Sequence, residues 1–116
     1  MFQIFLNRNN TIKLQLQNGN SGANLGNVDR ITVTITIDDV VIDSDSVENE
    51  TENYITWTST IPSFNEANLI LKLGKHPELE EYSGIREMRI TVYDFDNPDG
   101  LVWIDEMTVN VVPDSV

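Results

Sequence analysis

Cysteine is absent from the 116 residues, which excludes a disulfide framework, a thiolate metal site and a thiol nucleophile. Positive charge is scarce. Seven Lys and Arg stand against nineteen Asp and Glu, a net charge of −12 that repels phosphate backbones and anionic lipids alike, so neither nucleic acid nor membrane is an expected partner. Histidine occurs once, as His76 beside Pro77, and is expected in a surface loop; no Ser-His-Asp arrangement has the parts it needs. No apolar run approaches the ~20 residues of a membrane span. The opening Met1 to Arg8 has no basic stretch ahead of its apolar residues, so no signal peptide is expected and the chain is read as made and folded in a cytosol. Gly19, Gly22 and Gly26 are not followed by a Lys-Ser/Thr pair or a helix start, so they read as a flexible inter-strand loop and not as a phosphate cradle. Helical periodicity is missing as well.

What is present is alternation with a period of two residues. Ile12, Leu14 and Leu16 alternate with Lys13, Gln15 and Gln17, and Ile31, Val33, Ile35 and Ile37 alternate with Thr32, Thr34 and Thr36. Pleated strands with one buried face carry this pattern, and β-branched side chains suit it. Further strands are expected at Phe2 to Leu6, at Tyr54 to Thr60, through Leu69, Leu71 and Leu73, through Met88, Ile90 and Val92, and from Leu101 through Met107, Val109 and Val111. A two-residue loop at Asp38-Asp39 would pair Ile37 with Val40 and Ile35 with Ile42, setting all four on one face with Val41 on the other. Asn97-Pro98-Asp99-Gly100 is a tight-turn sequence, and the connector from Gly74 to Gly84, which contains Pro77, has room for one helical turn. The reading is a single all-β domain over residues 1–116, an immunoglobulin-like antiparallel sandwich of seven to eight strands, with an open barrel as the architectural rival.

Charge is unevenly placed along this framework. Residues 1–28 contain no Asp or Glu and hold Arg8 and Lys13, whereas seven acids and no Lys or Arg fall between Asp38 and Glu52. The acid-free end makes Phe2, Ile4, Phe5, Arg8 and Lys13 the candidate docking residues; the alternative is that the apolar ones, with Leu6, pack into the protein's own core. The loop Asp94-Phe95-Asp96-Asn97-Pro98-Asp99-Gly100 offers Asp94, Asp96 and Asp99 to a hard cation such as Ca²⁺, with Asp105 and Glu106 nearby. It departs from the EF-hand pattern at Pro98 and lacks the closing Glu, and the plainer reading is a hairpin turn. Trp57, Trp103, Tyr54, Tyr82 and Tyr93 are the aromatics available for sugar stacking. Trp57 is in phase with Ile55 and expected in the core, while Tyr93 is out of phase with Ile90 and Val92. No residue nominates itself as catalytic, so no enzyme and no cofactor is expected. The sequons at Asn9 and Asn49 read as chance in an Asn-rich chain.

The run Leu71-Lys72-Leu73-Gly74, Tyr82-Ser83-Gly84, Met88 to Asp94 and Asn97-Pro98-Asp99-Gly100-Leu101-Val102-Trp103 resembles small immunoglobulin-like proteins of tailed bacteriophages. The opening strand, short Asn-rich turn and Thr11 to Gln17 are similar in layout to the immunoglobulin-like N-terminal domains of phage baseplate proteins. That resemblance implies a virion structural protein: a head decoration or head-exterior protein, or a small tail or baseplate adaptor. Its partners would be capsid, tail or baseplate proteins or further copies of itself, and its place the virion. A carbohydrate-binding or Ca²⁺-dependent adhesion module is the rival expectation.

Overall fold

The computed structural model describes residues 2–18, 21–35, 39–44, 54–58, 66–79 and 82–113. Within them the strands are β1 (Phe2–Phe5), β2 (Ile12–Leu14), β3 (Gln17–Asn18), β4 (Ser21–Gly22), β5 (Val28–Ile35), β6 (Val40–Asp43), β7 (Ile55–Trp57), β8 (Leu69–Leu71), β9 (Gly84–Asp94) and β10 (Leu101–Val112). The expected helical turn is a 3-10 turn at Pro77–Leu79, whose Leu79 is buried. One sheet has the order β1-β10-β9-β5-β6 and a second the order β2-β8-β7, with β3 and β4 a separate small ribbon. The chain alternates between the sheets in a Greek-key path, β1 in the first, β2 in the second, β5 and β6 in the first, β7 and β8 in the second, β9 and β10 in the first. That is the immunoglobulin-like sandwich. Among the described residues the two larger sheets share no strand pairing, which is the arrangement of a sandwich and not of one continuous barrel sheet.

Alternation builds the core as expected. Ile31, Val33 and Ile35 of β5, Met88, Ile90 and Val92 of β9 and Val109 and Val111 of β10 are all buried, and so are Ile12, Leu69, Leu71 and Leu73 from the opposite sheet. Each such side chain contributes about 1.5–3 kcal/mol by leaving water, so the interior faces of the two sheets supply the driving force.

Two expectations need correction. The sheet is not purely antiparallel: β1 runs parallel to β10, with Phe2 opposite Val109 and Ile4 opposite Val111. The β5–β6 register is Ile35 with Val40 and Val33 with Ile42, two residues away from the register expected of a two-residue loop. The connection is therefore longer, and Asp39 enters β6 with φ of 52°; Thr36, Ile37 and Asp38 lie outside the described residues. The far end of the hairpin explains the choice. Ser44 N donates to Ile31 O and Ile31 N donates to Ser44 Oγ, both at 3.1 Å, and Arg30 Nε and Nη2 reach Asp43 Oδ2 at 2.8 and 2.5 Å. A shift of two residues preserves every side chain's face. Ile42 is accordingly buried and Val41 is exposed on the other side, as the alternation requires.

Candidate interaction surface

The first strand is an edge of the larger sheet. Its position depends on a fold-back at residues 5–10. Leu6 N donates to Val112 O at 3.0 Å, Asn7 N donates to Gly74 O at 2.8 Å, and Arg8 N donates to Phe5 O at 3.3 Å. Asn7 turns the chain with φ of 60°, a conformation that Asn tolerates better than most residues. Asn10 Nδ2 then closes the loop on Phe5 O (2.8 Å) and Arg8 O (3.2 Å). All of this lies directly on Gly74, where a Cβ would stand 2.6 Å from Phe5 O and nearer still to Asn10 Nδ2 and Arg8 O.

The structure divides the five candidate docking residues. Phe2 and Phe5 are 40% and 43% exposed, and Arg8 and Lys13 are exposed. Ile4 is fully buried and is removed from the set: its register with Val111 turns it into the core, together with Leu6. Phe5 pairs with Val112 on the outer face, and Ile85, 63% exposed, lies on the same face of β9 beside Asn110. Ile85 was legible in principle, because it is out of phase with Met88, Ile90 and Val92.

The acidic loop is a turn. Asp94 Oδ1 accepts from Asn97 N at 2.8 Å and from Asn97 Nδ2 at 3.0 Å. Gly100 N donates to Asn97 O at 3.1 Å, and Gly100 takes φ of 92°. Asp96 and Asp99 are exposed, and Asp105 is turned to Arg89 at 2.9 Å. Among the described residues no three His, Asp or Glu side chains come together as a metal-ligand set, so the structure does not gather Asp94, Asp96 and Asp99 into one. Phe95, between two of these acids, is 90% exposed.

The aromatic candidates are engaged elsewhere. Tyr54 is buried, and its ring meets His76 edge-on with centroids 4.5 Å apart. His76 is likewise buried, against the expectation of a surface histidine; its Nδ1 accepts from Glu78 N at 3.2 Å, so the 3-10 turn folds its ring inward. Trp57, Tyr82 and Trp103 pack against the core, with Trp103 Nε1 donating to Gln17 O at 3.1 Å. Tyr93 lies under the Arg30 guanidinium, 4.6 Å from its ring centre. No pattern in the sequence marks Asn68, which is fully buried and ties β8 to the chain beyond β2. No helix among the described residues is long and apolar enough to cross a membrane.

No known protein family, curated protein or solved structure matches the chain.

Proposed function

We propose that this chain is a non-enzymatic structural part of a tailed-bacteriophage virion, a head decoration or head-exterior protein or a small tail or baseplate adaptor, and that it works by docking to other virion proteins. The observation that carries the reading is the β1 edge. Phe2 and Phe5 are large apolar side chains left 40% and 43% exposed on a strand at the margin of its sheet. They belong to a stretch with no acidic residue in an otherwise strongly acidic protein. Aromatic residues surrounded by a surface depleted in charge are what protein–protein interfaces use as anchors, and an edge strand is a ready partner for another chain. The sequence resemblance to small phage immunoglobulin-like proteins points the same way.

Mass spectrometry of purified particles from the phage encoding this chain tests the proposal. The expected result is the chain present at a stoichiometry matching a symmetry of the head, tail or baseplate. Its absence from washed particles, with the protein recovered only in the lysate, overturns it.

A further inference from the structure

The two sheets are unequal, and the inequality has a location. Among the described residues, five strands in one sheet span more width than three in the other, since neighbouring strands lie about 4.8 Å apart. Phe2 marks the uncovered side. It is in register with Val109 and two residues from Ile4, both fully buried, so it belongs to the core-facing series, yet it is 40% exposed. In the second sheet the terminal strand is β2, paired on one side to β8 and, among the described residues, to no strand on the other. A half-covered core residue on one sheet and, on the other, a terminal strand whose register with β8 turns the Lys13 N–H and C=O outward are together the complement of one further strand.

We infer that β2 accepts an extended segment of a partner protein as a fourth strand of the smaller sheet, with its inward side chains covering Phe2. The chemistry of that segment follows from what it would lie beside. On the outer face of the smaller sheet Lys13 pairs with Ile70, and Ile70 with Thr56; Lys72, exposed, is next along β8's course. The described residues of β2, β8 and β7 include no Asp or Glu. An added strand places a side chain directly beside Lys13, where opposite charge is favourable and like charge is not. The occupant is therefore apolar on its inward face and acidic on its outward face. A second copy joined β2 to β2 about a two-fold axis centred on Lys13 would set Lys13 against its own image, which disfavours self-pairing. The inference deepens the docking function proposed above by naming the partner's form, and it fails separately from it: a chain found in virions that ignores strand peptides refutes only the strand.

The test is a titration of the ¹⁵N-labelled full chain with two capped eight-residue peptides, one alternating valine and glutamate, the other valine and lysine. The glutamate peptide is expected to shift the amides of Phe2 and of Ile12 to Leu14 and to slow hydrogen exchange in β2. The lysine peptide is expected to bind about fivefold more weakly, and Lys13→Glu, at an exposed position, to reverse that preference. Shifts confined to β6 or β7, no response to either peptide at millimolar concentration, equal binding of the two, or self-association that protects the same β2 amides without peptide each overturn the inference.

Discussion

Asn68 and Leu16, 52 residues apart in sequence, hydrogen-bond each other in both directions: Asn68 Oδ1 accepts from Leu16 N at 2.6 Å, and Asn68 Nδ2 donates to Leu16 O at 2.9 Å. The same amide nitrogen donates to Ala23 O at 3.2 Å. The main chain of Asn68 is engaged too, its N–H donating to Leu14 O and its carbonyl accepting from Thr58 N, each at 3.0 Å. One buried side chain thus satisfies the backbone where the chain leaves β2 and where it returns after β4. Leu16 O also accepts from Ala23 N at 2.7 Å, so it is the Leu16 N–H whose strand bond is replaced by an amide that imitates a peptide group.

Replacing Asn68 removes that imitation. Asn68→Ala leaves the buried N–H of Leu16 and the carbonyls of Leu16 and Ala23 without this partner, a loss of about 2–4 kcal/mol of stability. Asn68→Asp is expected to be at least as damaging, because a carboxylate cannot donate to either carbonyl. Denaturant unfolding with an unchanged slope and a lowered midpoint checks both; a midpoint within error of the parent would show that the network is dispensable.

Gly74 governs whether β1 can be held at all. A methyl group there collides with three polar atoms of residues 5–10, two of them backbone carbonyls that cannot swing aside. Gly74→Ala is expected to cost about 3 kcal/mol. The loss is also expected to be local in character, with hydrogen exchange accelerating first at Leu6 and Asn7, whose N–H groups donate to Val112 O and Gly74 O. Uniform acceleration across β5 and β9 would contradict the local origin.

Two glycines with similar backbones separate conformation from space. Gly84 (φ 84°) has open space where a Cβ would stand, whereas at Gly100 (φ 92°) a Cβ would meet Thr91 Cγ2 at 2.7 Å and Tyr93 Cε1 at 2.8 Å. Gly84→Ala therefore pays only the left-handed penalty, about 1 kcal/mol. Gly100→Ala adds overpacking and is expected to reach about 2–4 kcal/mol. Equal shifts in unfolding midpoint would show that the Tyr93 ring yields at no cost.

Much of this fold was legible in residue order alone. Alternation identified β5, β8 and β9 and the faces they bury, because a half-buried strand leaves a local signature. Position within a sheet leaves none. Phe2, Ile4 and Phe5 are equally apolar in sequence, and only the parallel pairing with β10 decides that Ile4 is buried and the other two half-exposed. Burial of His76 depends on a turn folding its ring onto Tyr54, and Asn68 sits in a polar setting until β2 is brought beside it. The β5–β6 register eluded the turn sequence because Arg30, Asp43 and Ser44 at the opposite end of the hairpin determine it. Ile85 carries a local signature of its own, since an apolar residue out of phase with Met88, Ile90 and Val92 must face outward.

Arg30 makes two contacts of different kinds, a charge-assisted pair with Asp43 and a stack on Tyr93. Its side chain is 37% exposed, so the ion pair is screened and modest. Arg30→Lys keeps the charge and loses the planar fork and the stack; about 1 kcal/mol of destabilisation is expected. A double-mutant cycle with Tyr93→Leu assigns the share that belongs to the ring. A coupling of zero would assign the loss in Arg30→Lys to the Asp43 pair and not to the stack.

Phe2 and Phe5 have nearly the same exposure but opposite orientation, which makes them the sharpest separation of stability from docking. Phe2 follows Ile4 on the core-facing series; Phe5 pairs with Val112 on the outer face. Phe2→Ser therefore removes partly buried apolar area and is expected to lower stability by about 1–2 kcal/mol, while Phe5→Ser stays within about 0.5 kcal/mol of the parent. Incorporation into particles is expected to fall with Phe5→Ser even though the isolated protein is as stable as before, because the lost contact is with another chain. A Phe5→Ser protein incorporated at parental level would remove the outer face from the docking surface. The strand site at β2, which involves Phe2 and not Phe5, would then be left as the route by which this edge meets its partner.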